Sequence, residues 1–169
     1  KGLMGTPLVS TVLAAELIRR AGGIAEEDVL EDISGGCAAT VAYLDDSDWG
    51  GTNTGVSVDD NGVLSGSKFM VSDAAQATWI AVVGSDAAGN SVIALVAGSD
   101  VAGQAQASHA LIDLTKRAST LDFTGVKAQR VLSGYKVASA IRDYLLIGAL
   151  LTAAEAVGST SACLAGVVD

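Results

Sequence analysis

Several groups of residues have the types and spacing that chemistry needs. The first is an acidic run, Asp45, Asp46 and Asp48, inside "AYLDDSDWGGTNTG". Hard cations take oxygen ligands, so such a run could hold one, but its spacing matches no calcium loop. A solvated turn accounts for it better. The second is Ser108 beside His109, with Asp113 four positions further on. These are the parts of a nucleophile–base–carboxylate triad. Adjacent strand positions face opposite ways, however, and no nucleophile-elbow motif accompanies them. His109, the only histidine, therefore reads as a surface or core residue. Glu26, Glu27 and Asp28 suit the start of a helix, where acids complement the dipole. A solvated helix end explains them without a metal. Cys37 and Cys163 each sit among small apolar residues and read as buried free thiols, which suits a reducing compartment and a cytoplasmic protein.

Composition narrows the classes. Half of the 169 residues are hydrophobic and 17% are charged, enough apolar matter for a packed core. The net charge of -9, with ten scattered Lys and Arg, excludes nucleic acid as a partner, because phosphate binding needs clustered cations. No signal-peptide pattern is present. The most apolar stretch runs from Leu145 to Val157. Only eleven residues separate Asp143 from Glu155, too few for a membrane span of roughly 20. A buried helix, and no membrane, is the expectation.

The elements that must position any site follow from periodicity. Ser10 or Thr11 can cap a helix through Arg20, stopped by Gly22-Gly23. Val12, Leu13, Leu17, Ile18 and Ala21 form its apolar stripe. A short second helix is predicted from Glu26 to Ile33. Between 38 and 132 the pattern is that of strands. "TGVSVDDNGVLSGSKFMV" places Val56 and Val58 on one face, with Asn61-Gly62 as a two-residue hairpin turn. "TWIAVVG" and "SVIALVA" read as buried strands joined through Ala88-Gly89-Asn90. "QAQASHA" alternates over a short stretch. In "LDFTGVKAQRVL" the apolar phase flips at Gly125, which predicts a bulge. Short strands at this spacing favour a sandwich or small barrel. Residues 137–168 read as one helix, apolar nearly all round through Leu145, Leu146, Ile147, Leu150, Leu151, Val157 and Leu164. Such a surface must be covered by further helices, from more chain or other subunits.

The order helix, β-domain, long apolar helix resembles the acyl-CoA dehydrogenase family. The match rests on three motifs. In "VLSGSKFMVSDAAQATWIAVVG", Gly66, Lys68, Ser72, Ala77 and Trp79 stand in register with a strand ending G-x-K, a Thr or Ser followed by Asn, and a new strand. In "LIDLTKRASTLDFTGVKAQRVLSG", Asp113, Thr115, Arg117, Phe123 and Val126 fit the family's next strands. "AAEAVGSTSACLAGVVD" is similar to the first helix of its C-terminal bundle. The motifs together cover most of residues 10–169.

The resemblance implies an α+β fold: an antiparallel β-barrel or sandwich middle domain at 37–134, flanked by the end of an N-terminal helical domain at 1–36 and the start of a C-terminal helical bundle at 135–169. It implies an FAD cofactor and an acyl-CoA substrate, dehydrogenated at its α,β-bond. It also implies an electron-transfer flavoprotein as electron acceptor and a homo- or hetero-oligomer, dimer or tetramer. The thioester acidifies the α-carbon and the cofactor takes the hydride, so the protein supplies positioning and a base. By the same resemblance Met70 and Ser72 occupy the places that touch the flavin ring. Asp45, Gly51 and Thr52 occupy places in the flavin loop.

Two departures matter. That loop usually reads T-E-P-x-x-G-S-D; here it is rewritten, and a carboxylate near the pyrophosphate would repel it. Met70 stands where an aromatic residue usually stands. No residue matches the family's catalytic base, so no catalytic residue is assigned. A second reading follows: a non-catalytic, flavin-site-eroded partner beside an intact sister subunit, as some families of this fold in actinobacteria have. An acyl-CoA oxidase would share the same β-domain.

Overall fold

Two apolar β-rich runs form the centre of the structure. The computed structural model describes residues 6–22, 27–45, 55–102 and 106–168. Strands β5 (Trp79–Ser85) and β6 (Ser91–Ala97) pair antiparallel along their whole length. Five consecutive residues of each are buried. Strands covered on both faces lose the usual alternation, which is why their sequences read as unbroken apolar runs. Ile80, Val82, Val92, Ala94 and Val96 enter one core, while Ala81, Val83, Ile93 and Leu95 enter another.

The first core lies between two sheets. The larger has six strands: β3 (Leu64–Ser65), β2 (Ser57–Val58), β5, β6 and β9 (Arg130–Leu132) in order, with β1 (Ala39–Ala42) also on β5. The smaller has the order β4 (Ser67–Ser72), β8 (Ala118–Asp122), β7 (Gln106–Ser108). Val71, Leu121 and Phe123 from its side join the core. A mixed α+β architecture is therefore present. Neither sheet closes on itself among the described residues. Nor is the pairing wholly antiparallel: β1 and β2 both run parallel to β5, in tandem along one edge.

Two chain segments switch sheets. "VLSGSKFMV" divides at Gly66, with β3 in one sheet and β4 in the other. The phase flip at Gly125 is likewise a corner, not a bulge, between β8 and β9. The corners bond to each other: the Phe123 N–H donates to Gly66 O (2.9 Å) and the Gly125 N–H to Leu64 O (2.9 Å). The bulge lies elsewhere, in β4, where the register with β8 shifts between Lys68 and Val71.

The hairpins use one device. In 59–63 and 86–90 an Asp carboxylate accepts the N–H groups two and four residues on, and a glycine takes positive φ (Gly62 76°, Gly89 82°). The glycine N–H closes a turn on the Asp carbonyl, at 2.9 Å in both. These are three-residue loops with the glycine in the left-handed position, so the two-residue turn expected at Asn61-Gly62 is corrected.

Helices cover the second core. The helix α1 (Leu8–Gly22) begins earlier than expected, so Ser10 and Thr11 lie in its first turn rather than capping it. Their hydroxyls reach other elements: Thr11 Oγ1 accepts from the Ala39 N–H (3.1 Å), and Ser10 Oγ lies 2.8 Å from Asp73 Oδ2. The buried face is Ser10, Ala14, Leu17, Ile18 and Ala21, while Val12 is exposed. The helix α2 (Glu27–Ser34) is held by Trp79 Nε1–H donating to Asp32 (3.1 Å) and by an Arg130–Asp28 ion pair. A four-residue helix, α3 (Gly98–Val101), follows β6.

The last helix, α4 (Tyr135–Val168), has 34 residues and so is about 50 Å long. Val137 and Ala140 are buried in the second core, and Ile141 and Tyr144 pack beside them. From Thr152 to Val167 every residue is exposed. The apolar surface expected to need cover is thus uncovered here, with Leu150 68% and Val157 67% exposed. By length and composition Tyr135–Val167 is long and apolar enough to cross a membrane, with a mean hydropathy of 1.5 over an 18-residue stretch. The Leu145–Val157 run, expected to be too short to span, is thus part of a longer apolar helix that passes on length. Cys37 is half-buried and Cys163 exposed, so the expected burial of both thiols is also corrected.

Candidate functional site

A cavity of about 720 Å³ opens where α1, β1, β4 and α4 converge. Its location follows from the divided edge of β5. Between β1 and β2 the chain leaves the large sheet, and Leu44 pairs instead with Phe69 of β4. Residues of both sheets then face one space, closed on another side by the helices.

The walls are apolar with a few polar groups. Leu8, Val9 and Leu13 of α1, Leu44, Phe69 and Met70 supply the apolar part. Thr40, Ser72, Asp73 and the segment Thr115–Arg117 supply the polar part. Thr40 Oγ1–H donates to Ser72 O at 2.6 Å, which fixes the end of β4 against β1. Ser72 itself is exposed, and its hydroxyl has no partner among the described residues. Met70 and Asp73, flanking it, both have positive φ, 53° and 52°. Left-handed backbone is uncommon outside glycine, and here it accompanies the β4 bulge and the turn after it. On α4, Tyr144 and Glu155 complete the lining, with Glu155 held to Lys116 (2.7 Å). Burial and the neighbouring Tyr43 push the Tyr144 phenol up to about 12.

The residues named from sequence separate into four groups. Met70 and Ser72 both line the cavity. Asp45 does not; its carboxylate pairs with the ammonium of Lys68. Gly51 and Thr52, like Asp46 and Asp48, lie outside the described residues. Ser108, His109 and Asp113 form no triad. His109 Nε2 meets Thr120 Oγ1 (2.9 Å), its ring stands edge-on to Phe69 (4.7 Å), and Asp113 accepts from Thr115. No group of three or more metal-ligating side chains occurs among the described residues.

Lys68 is the residue whose importance sequence reasoning missed. Its side chain is fully buried, and Nζ donates to Tyr43 O (2.9 Å) as well as to Asp45. Burial pushes its ammonium below the ordinary lysine value, and Asp45 opposes that shift. A signal was available. Counting forward in twos from the buried Leu64 through Gly66, alternation places Lys68 on the core side, where a charge demands a partner.

Comparison with solved structures decides the fold. The Tcur3481–Tcur3483 steroid ACAD matches at 24% identity over 80% of this chain and 38% of its own, with a TM-score of 0.65. The chain has the acyl-CoA dehydrogenase fold. The ChsE4–ChsE5 complex from Mycobacterium tuberculosis is 24% identical over 89% of this chain and 45% of its own, with a TM-score of 0.62. A glutaryl-coenzyme A dehydrogenase in complex with glutaryl-CoA is 20% identical over 83% and 40%, with a TM-score of 0.68. The acyl-CoA dehydrogenase resemblance seen in the motifs is therefore present in three dimensions. This chain spans roughly two-fifths of those solved chains. No protein-family model matches the sequence, and no curated protein does.

Proposed function

We propose that this chain is the β-rich part of an FAD-dependent acyl-CoA dehydrogenase, and that the cavity beside Met70 and Ser72 receives the flavin ring. The observation that carries the reading is the cavity itself. Two residues named from sequence as ring contacts, Met70 and Ser72, lie together in its wall. The chemistry of the wall fits the group. An aromatic ring system with polar edges needs apolar faces and a few directed hydrogen-bonding groups. Leu44, Phe69 and Met70 offer the former, and the unpartnered Ser72 hydroxyl the latter.

When bound, the flavin would accept the hydride leaving the acyl β-carbon. The chain's own residues would do the rest. Met70 packs a polarizable thioether on the ring in place of a stacking aromatic. The Ser72 hydroxyl would offer a hydrogen bond to the ring system. Leu8, Val9 and Leu13 exclude water from that side. Gly51 and Thr52 are proposed on the pyrophosphate side. Asp45, paired with the buried Lys68, is proposed to hold the flavin loop's first residue in place rather than to touch the flavin. No described carboxylate in the cavity is placed as the base, since Glu155 faces Lys116 and Asp73 faces Ser10. The substrate class, the electron-transfer flavoprotein, the oligomer and the cytoplasmic location belong to the same proposal.

The second reading, a non-catalytic partner subunit, draws support from Met70 in an aromatic position and from the ChsE4–ChsE5 match, a complex of two proteins. Expression of the full-length gene alone and with its chromosomal neighbour separates the two. Yellow flavin absorbance in the protein expressed alone supports the dehydrogenase. Flavin only in the co-expressed pair, at one per two chains, supports the partner subunit. No flavin in either overturns both.

A further inference from the structure

The chain around Lys68 is built as a clamp. Its buried ammonium reaches two groups of the segment after β1, the Tyr43 carbonyl and the Asp45 carboxylate. Between those two contacts the Phe69 N–H donates to Leu44 O at 2.7 Å. Three bonds thus fasten three consecutive residues, 43 to 45, to two consecutive residues of β4. The fit behind Asp45 is equally tight. A Cβ at Gly55 would stand 2.8 Å from Asp45 Cγ and 2.9 Å from its Cβ. Only glycine at 55 leaves the carboxylate room to face Lys68.

The clamp holds residues of the cavity wall. Tyr43, Leu44, Phe69 and Met70 all line it, and the β4 bulge begins immediately after Lys68. A lysine has no other evident reason to be there. Its amine touches none of the cavity, and a hydrophobic residue of similar volume would fill the core with less desolvation.

We propose that Lys68 is a positioning residue, whose ion pair with Asp45 sets the separation between the Tyr43–Leu44 wall and the Met70–Ser72 wall. The clamp stands on packing alone. Its effect on flavin binding rests on the function proposed above.

The test uses the paired substitution Lys68→Met with Asp45→Asn, so that no buried charge is orphaned. The double variant is expected to melt near the parent temperature, because both charges are removed together and neither is left orphaned. Its dissociation constant for FAD, measured on whichever assembly of the parent binds flavin, is expected to weaken about 10-fold or more, as for other outer-shell supports. The Tyr144 phenol, which faces Tyr43, is expected to titrate at lower pH than in the parent. Gly55→Ala, which lies outside the cavity lining and presses on Asp45, should weaken FAD binding likewise. Unchanged FAD affinity and unchanged Tyr144 titration in the double variant would overturn the clamp. If the parent binds no FAD in any assembly, the flavin reading fails, and the Tyr144 titration still decides the role of Lys68.

Discussion

The ring of Tyr43, leaving β1, meets the ring of Tyr144 on α4 with centroids 5.8 Å apart and planes inclined at 51°. This contact joins the β-rich part of the chain to its last helix at the cavity wall. It also accounts for a shifted titration. Burial takes water from the Tyr144 phenolate, and Tyr43 adds to the effect, so the phenol ionises only near about 12. The ordinary value is 10.0. The folded form holds its proton more tightly, so this stabilisation is whole below pH 10 and is lost as pH rises from 10 through about 12. Phenolate absorbance across that range should show a late-titrating tyrosine that disappears in Tyr144→Phe. A titration unchanged by that substitution would contradict the partly buried position of the ring.

A second expectation concerns the core between the sheets. Phe123 is fully buried, and it follows the end of β8, where the chain turns from the small sheet towards the large one. Phe123→Ala leaves a void that close-packed neighbours cannot fill, at a cost of about 3–5 kcal/mol. Thermal melts should show a large fall in stability. A loss below about 1 kcal/mol, the usual range of surface changes, would mean that the sheets do not share this core.

The twin hairpins make a third. Gly62 and Gly89 hold left-handed backbone, and nothing within 4 Å of Gly89 would touch an added Cβ. Gly89→Ala therefore isolates the conformational cost, about 1–2 kcal/mol. The carboxylates have a pH signature too. Backbone donors led by the Val63 N–H hold Asp59 below the ordinary carboxylate value, and Asn90 does so for Asp86. Their folded pKa values are depressed, so the stabilisation is present above the unfolded value of 3.8 and is lost as pH falls through the folded values. Asp59→Asn and Asp86→Asn should flatten the acid limb of the stability curve. An acid limb identical to the parent's would show that the turns do not depend on these charges.

What was legible in the sequence depended on whether local chemistry or remote contacts decided the outcome. β5 and β6 were plain because apolar runs of that length admit few alternatives. The helices α1 and α4 were plain by periodicity, although Pro7 moved the start of α1 ahead of its apparent caps. The sheet-switching corners were misread at Gly125, because a phase flip looks alike whether the strand bulges or changes sheets. Motif register singles out Met70 and Ser72, which line the cavity, but not Tyr43, Thr40 or Asp73, which line it too. Their places in the cavity come from a crossing of β1, β4 and α1 that no local pattern encodes. Lys68 carried a signal, an inward-facing charge, but its partner 23 positions earlier appears only in the fold.

The exposed length of α4 carries the last expectation. Leu146, Leu150, Val157 and Leu164 are each more than 60% exposed, on a helix whose second half touches the rest of the chain through Lys116–Glu155. Apolar surface of this extent is unfavourable in water at about 25 cal/mol per Å². Either more protein or lipid must cover it, and the two differ in a measurable way. A lipid-spanning helix would hold Glu155 against a large desolvation cost, whereas a helix bundle can leave its partner Lys116 in water beside it. The chain is therefore expected to self-associate or to bind a helical partner, and not to float with neutral phospholipid vesicles in a density gradient. Leu150→Ser with Val157→Ser should shift the size-exclusion profile towards monomer. Flotation of the parent, abolished by the same two substitutions, would assign the helix to a membrane instead.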